Sequence, residues 1–289
     1  MKQGVLLFAL NNKDVDYVKQ ALFCAKKIKR HLKLPVALVT DNRYYLTNQF
    51  PFFEKYIDQI IDIPEVNTSQ TKRFLDGVYS IRKLPWKNHS RPDCYNLTPF
   101  DETIVLDADY IIGNDSLLNC FKLNQDFLIY RNPTDIASTL RKIQKFDRIS
   151  DRSIDMWWAT GFYFKKTPFM KMYFELIQHI KDNWPYYRLI YQIPHSTYRN
   201  DFSFSIAIHI LRGFQLNPNW PIKMPGNMYM ASDADMLNSV DGDKLSFICD
   251  YTSSGGYYVG VTVEDSNVHV MNKFSLSRAI DSDKEFANE

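Results

Sequence analysis

The sequence predicts an α/β fold with a mostly parallel central sheet. Three observations carry that reading. Val5–Leu10 is an unbroken apolar run, as a strand covered on both faces requires. From there the apolar residues fall at Val15, Val18, Leu22, Ala25 and Leu32, with Ile28 near the same stripe and Lys19, Lys26, Lys27, Lys29 and Arg30 on the rest. That is helical spacing. Pro35 closes the helix, and Val36–Val39 is a second apolar run ended by Thr40-Asp41-Asn42. Strand, helix and strand within about 35 residues form a βαβ unit, whose strands lie parallel.

The later elements follow in order. Asn11, Asn12 and Asp14 offer turn and N-cap chemistry after the first strand. Tyr56–Ile63 reads as a third strand or strand edge, and Phe74–Leu84 has mixed helical spacing. Thr103-Ile104-Val105-Leu106 is a compact β-branched strand followed at once by Asp107-Ala108-Asp109. Phe127–Tyr130 and Gly161–Phe164 are short strands, while Phe169–Ile180 and Asp201–Leu211 are helices. Pro- and Gly-punctuated turns and short strands run on through Val268–Met271. No repeat or linker interrupts this, so one domain over residues 1–289 is expected. A nucleotide-type half reaches to about residue 115, and a more irregular half covers 116–289.

Composition narrows the classes. Hydrophobic residues at 45% and charged residues at 24% are globular values. The net charge of +2 excludes strong polyanion seeking by bulk charge, though not a local basic groove. Eighteen Tyr and five Trp favour a surface that stacks on flat ligands, or simply an aromatic core. Cys24, Cys94, Cys120 and Cys249 are widely and irregularly spaced, which argues against a structural zinc or a disulfide framework. A reducing, cytoplasmic setting is expected. No run of 18 apolar residues is present, so no membrane span is expected. The apolar start runs into Asn11-Asn12-Lys13-Asp14 without a small-residue cleavage site and reads as a buried strand, not a signal peptide.

In open α/β sheets, ligands bind beyond the carboxyl ends of the strands. Asn11, Asp41 and Asp107 lie just past such ends and point to one crevice. No Gly-rich loop follows the first strand, which excludes a GxGxxG dinucleotide site and a P-loop. Nor is there a GxSxG elbow, and His195 reads as a loop residue. The richest stretch is Ile104-Val105-Leu106-Asp107-Ala108-Asp109. Two carboxylates one residue apart repel unless they share a proton or a divalent cation. Hard cations take carboxylate oxygens together with substrate phosphates. A bare Asp-x-Asp is also an ordinary acidic turn.

The flank of that pair carries a resemblance. Thr98-Pro99-Phe100-Asp101-Glu102-Thr103-Ile104-Val105-Leu106-Asp107-Ala108-Asp109 resembles the DxD segment of GT-A fold glycosyltransferases. It is most similar to the glycogenin-like and bacterial galactosyltransferase-like group. The likeness covers the first ~115 residues and is patchy afterwards.

The resemblance implies a single GT-A-like, Rossmann-like domain moving a sugar from a nucleotide-diphosphate donor, UDP-sugar first, to an acceptor hydroxyl. It implies Mn²⁺ or Mg²⁺ on Asp107, Asp109 and His269. Asn11 and Asp41 would lie by the nucleoside, Lys83 and Arg91 near the donor, and Asp107 would also touch the ribose. Trp158-Ala159-Thr160-Gly161-Phe162-Tyr163-Phe164 resembles the strand beside the donor sugar, with Thr160 in place of Asn or Ser. Asn200-Asp201 resembles the segment near the reacting sugar, which makes Asp201 the catalytic candidate, or a helix N-cap. His269-Val270-Met271-Asn272-Lys273 resembles the late metal-binding His with a Lys on the diphosphate, although the usual Gly and trailing Lys-Pro-Trp are missing. His269 also reads as a plain strand histidine, and Lys83 and Arg91 as solvated charges.

For the acceptor, Trp184-Pro185-Tyr186-Tyr187-Arg188 with Tyr191 and Tyr198 could stack on a sugar or a base. Basic clusters at Lys26–Lys33, Lys72-Arg73, Arg82–Arg91 and Arg141–Arg148 could track a phosphate backbone if they share one face. The chain also resembles small phage-encoded transferases, some of which modify hydroxymethylcytosine in DNA. That implies a DNA acceptor, with a glycan or protein acceptor as the competitor. A nucleotide-sugar nucleotidyltransferase is the other enzyme reading, disfavoured by the missing Gly-rich loop.

Overall fold

The computed structural model describes residues 1–12, 14–137, 147–150, 154–194, 197–215, 219–251 and 256–289. Lys13, His195 and residues 141–146 of the Arg141–Arg148 cluster lie outside the described residues.

The chain opens with β1 (Gln3–Ala9), α1 (Tyr17–His31) and β2 (Val36–Thr40), the expected βαβ unit. Asp16 caps α1 by accepting from the Lys19 amide at 3.0 Å. Then come α2 (Arg43–Gln49), β3 (Gln59–Asp62), β4 (Thr71–Asp76), β5 (Ser80–Pro85) and α3 (Cys94–Leu97). The middle of the chain holds β6 (Glu102–Asp107), β7 (Tyr110–Ile111), β8 (Phe127–Tyr130), β9 (Thr134–Asp135) and β10 (Trp158–Lys165). After these run α4 (Pro168–Asp182), α5 (Trp184–Ile190) and α6 (Asn200–Leu211). The remainder is β11 (Ile222–Lys223), β12 (Tyr229–Ala231), β13 (Met236–Asp241), β14 (Lys244–Asp250), β15 (Tyr258–Val263), β16 (Val268–Val270), α7 (Lys273–Ser282) and α8 (Lys284–Ala287).

Seven strands form the central sheet in the order β11-β8-β10-β6-β1-β2-β3. Four of the six neighbouring pairs are parallel, and β10 runs antiparallel to both β6 and β8. The fold is therefore α/β with a mostly parallel sheet. Every residue of β2 is buried, as is every residue of β1 past Gln3, which is why both strands read as continuous apolar runs.

Two expectations are corrected. Phe74–Leu84 is no helix; it belongs to the β4–β5 hairpin, paired from Thr71↔Pro85 to Asp76↔Ser80. The turn begins with Asp76-Gly77, where Gly77 sits at φ +71°, a conformation that favours glycine. The Trp184–Tyr198 stretch is not all irregular, because its first part folds as α5. Pro185 falls in that helix's first turn, where a missing N–H costs nothing.

A second, four-stranded sheet runs β7-β16-β12-β9. It hangs on the residue pair just past β6. Tyr110 pairs His269 in antiparallel register, and the Val270 amide donates to the Asp109 carbonyl at 3.0 Å. Thus the late strand β16 is fastened directly beside the end of β6. The β13-β14-β15 meander then leads into β16, and α7 packs on β13 and α1.

Candidate active site

The ends of β1, β6 and β10, the β4–β5 hairpin and the starts of α6 and α7 enclose a crevice of about 460 Å³. That size lies within the range of small-molecule sites. At its floor β6 delivers Asp107, and the turn into β7 delivers Asp109. His269 comes from β16, and its ring stacks on Tyr110 with centroids 4.9 Å apart and planes 8° from parallel. One ligand atom each from Asp107, Asp109 and His269 lies within 4.8 Å of the others. His269 Nε2 is 3.1 Å from Asp109 and 3.8 Å from Asp107. Two carboxylates and an imidazole so close make a donor set that suits a hard or borderline divalent cation.

Two cations balance these acids. Lys273, the first residue of α7, places its ammonium on the Asp109 carboxylate. Asn272 fixes that helix start by accepting from the Ser275 amide at 3.0 Å, and Gln20 holds the Lys273 carbonyl at 2.9 Å. Arg91 is buried; it pairs with Asp107 and donates to the Ala159 carbonyl. Burial pushes the Asp109 carboxyl upward, but the Lys273 ammonium and the adjoining His269 ring outweigh it and hold the group well below the usual carboxylate range. Two acids against two bases leave this corner neutral. A divalent cation would bring it to a surplus of two positive charges, the amount a diphosphate ester carries in negative charge.

Asp201 lies at the other side of the crevice. It is not the N-cap of α6, a position taken by Arg199. Its Oδ1 accepts the Ala159 amide at 3.0 Å, and its Oδ2 accepts from Arg199 at 2.9 Å. The carboxylate thus ties α6 to β10 next to Thr160, which also lines the crevice.

The other expected donor residues divide. Arg91 and Lys273 line the crevice with Asp107, Asp109, His269 and Asp201. Asn11 does not. Its Oδ1 accepts the Val18 amide at 2.9 Å and its Nδ2 donates to Asp16 at 3.1 Å, so it braces the start of α1. Asp41 is also outside the lining, but it holds Lys87, which lines the crevice, at 3.4 Å, and leaves Oδ1 buried with no hydrogen-bond partner. Lys83 is exposed on β5 and outside the lining. Gly161 is outside it too. A Cβ there would come within 2.9 Å of the Tyr130 ring, so its role is close packing, and Thr160 faces the crevice in its place.

The expected continuous basic groove does not form from its first cluster. On α1, Lys27, Arg30 and His31 all pair with Asp243, Lys29 pairs with Asp58, and Lys26 pairs with Glu285 and Glu289. Lys72 and Arg73 do line the crevice. Of the aromatic stretch, Tyr198 lines it, while Trp184 is buried against Tyr198 and Phe202 and Tyr186 is exposed. Sequence reasoning named Lys72-Arg73 and Arg82–Arg91 as basic clusters but did not join Lys72, Arg73, Trp86 and Lys87 into one wall. The Asp76-Gly77 turn signal inside alternating residues was the available clue.

No protein-family model matches the chain, and no curated protein sequence matches it. Solved structures do. The glycosyltransferase GlyE of Streptococcus pneumoniae TIGR4 matches 73% of this chain and 43% of its own, at 12% identity and a TM-score of 0.42. The galactosyltransferase LgtC, solved with donor and acceptor sugar analogues, matches 62% of this chain and 65% of its own, at 13% identity and 0.38. Mouse xyloside xylosyltransferase 1 matches 74% of this chain and 83% of its own, at 9% identity and 0.42. The chain thus spans less than two thirds of the first two. Among the described residues, no helix is long and apolar enough to cross a membrane.

Proposed function

We propose that this chain is a metal-dependent glycosyltransferase of GT-A-like fold that moves a sugar from a nucleotide-diphosphate donor to an acceptor hydroxyl. The observation that carries it is the Asp107–Asp109–His269 cluster, with Lys273 and Arg91 on its carboxylates, in one crevice with Asp201.

In the reaction, the bond between the anomeric carbon and the diphosphate oxygen breaks, and its electron pair leaves with the diphosphate. The acceptor oxygen bonds to that carbon, and its proton passes to the departing diphosphate. A divalent cation held by Asp107, Asp109 and His269 would supply charge for the departing diphosphate. Once the diphosphate neutralises part of that charge, Lys273 is free to donate to a phosphate oxygen. Arg91 stays buried and keeps Asp107 oriented. Asp201 holds Arg199 and β10 in place beside the sugar, because both its oxygens already accept hydrogen bonds.

We further propose UDP as the carrier and Mn²⁺ as the first ion to try. Hydroxymethylcytosine in DNA is the first acceptor to test, ahead of a glycan or protein hydroxyl. The half-buried Trp86 ring and the exposed Arg73, which line the same crevice, support a flat, anionic acceptor. The test is calorimetry of UDP-, GDP- and CMP-sugars with Mn²⁺ or Mg²⁺. Ion-dependent binding of a UDP- or GDP-sugar supports the reading; no binding of either with either ion rejects it, and binding of a CMP-sugar alone rejects the diphosphate donor.

A further inference from the structure

The β4–β5 hairpin forms one wall of the crevice through Lys72, Arg73 and Phe74. It is docked on α7, the helix whose first residue reaches Asp109. Phe74 and Leu84 pack with Phe274 and Val15 in a small cluster separate from the main core. Beyond them, both Arg278 guanidinium nitrogens donate to Asp76, at 2.7 and 2.8 Å. Hairpin and diphosphate corner therefore share one support, and the hairpin's position relative to Lys273 is set by packing.

Neither Lys72 nor Arg73 of that wall is ion-paired among the described residues, and Lys72 is the one that feels Arg199 and Lys273. Arg91, Lys273, Arg199 and Lys87 each face a carboxylate. Lys72 has no carboxylate within ion-pair distance among the described residues; its ammonium lies 5.8 Å from the Phe74 ring centroid. Around it stand Arg199 and Lys273, two like charges, with Asp201 and Asp233 as weaker counterweights. A third cation held between two others is favoured when an anion enters among them.

We propose that Lys72 is a second ammonium for the donor's diphosphate, in the same crevice as Lys273. This rests on the donor reading above. It assigns a binding role to the hairpin, which is distant in sequence from both the carboxylate pair and His269.

The experiment titrates UDP, GDP and CDP into wild type, Lys72→Ala and Lys72→Arg with Mn²⁺ present, and uridine, guanosine and cytidine as diphosphate-free controls. Lys72 is exposed at the crevice mouth, so both variants should melt within a degree or two of wild type. Loss of one charge-assisted bond predicts about 10- to 100-fold weaker diphosphate binding in Lys72→Ala. Nucleoside binding should stay unchanged, and Lys72→Arg should recover most of the loss. Diphosphate affinity within twofold of wild type in Lys72→Ala overturns the assignment and leaves the donor reading standing. Wild type that binds none of the three diphosphates overturns both.

Discussion

Gly161→Ala separates two roles for one residue. If Gly161 contacted the donor sugar, the added methyl would weaken donor binding and leave the fold alone. The geometry assigns it to packing. The new Cβ would lie 2.9 Å from two carbons of the Tyr130 ring and 3.3 Å from the Tyr110 hydroxyl. Carbon atoms prefer about 3.5–4.0 Å, so the overlap with Tyr130 is roughly 0.6 Å or more. Neither ring can retreat easily. Both are buried, Tyr110 is stacked on His269, and its hydroxyl lies 3.2 Å from Thr160 Oγ1. Overpacking of this kind costs about 1–3 kcal/mol. At about 2 °C per kcal/mol for a chain of this size, the melting point should fall by roughly 2–6 °C. Because Tyr110 stacks on His269, strain passed to Tyr110 should lower Mn²⁺ affinity as well. Urea unfolding, thermal melting and Mn²⁺ titration read these effects. A variant with unchanged stability and selectively lost donor binding would refute the packing assignment.

Three more outcomes are expected. Asp109→Asn leaves the Lys273 ammonium without its buried partner; it should cost about 3 kcal/mol in urea unfolding and abolish ion-dependent donor binding, and wild-type binding in that variant would overturn the metal site. The Arg278 hydrogen bonds hold the Asp76 carboxyl below its ordinary value, so their stabilisation is full at neutral pH and is lost as pH falls below about 4, through the folded-state value. Since Arg278 is more than half exposed, the gap between wild type and Arg278→Ala should be about 1 kcal/mol or less at pH 7 and should close on acidification; a gap that widens contradicts the sign. Sugar transfer to hydroxymethylcytosine duplex should exceed transfer to unmodified duplex and weaken only gently with salt, since the α1 cations are already paired; no transfer to the modified duplex moves the acceptor to glycan or protein.

The sequence by itself determined the local elements and one half of the candidate site. The βαβ start was legible because β1 and β2 are buried on both faces and α1 on one, and burial on those faces demands unbroken or periodic apolar residues. The Asp107–Asp109 pair was legible because it sits within one turn of chain at a strand end. Tertiary structure decided the rest. His269 and Lys273 were named only through a family resemblance; they lie 160 and 164 residues from Asp109, and the β7–β16 ladder and the start of α7 bring them to it. The β4–β5 hairpin read as a helix because it buries little of its own surface and takes its order from Phe274 and Arg278 on a distant element. Asn11 and Gly161 misled for a related reason: a residue type suited to a ligand suits a helix brace or a tight ring contact equally well. Which of these it serves depends on neighbours that only folding brings within reach.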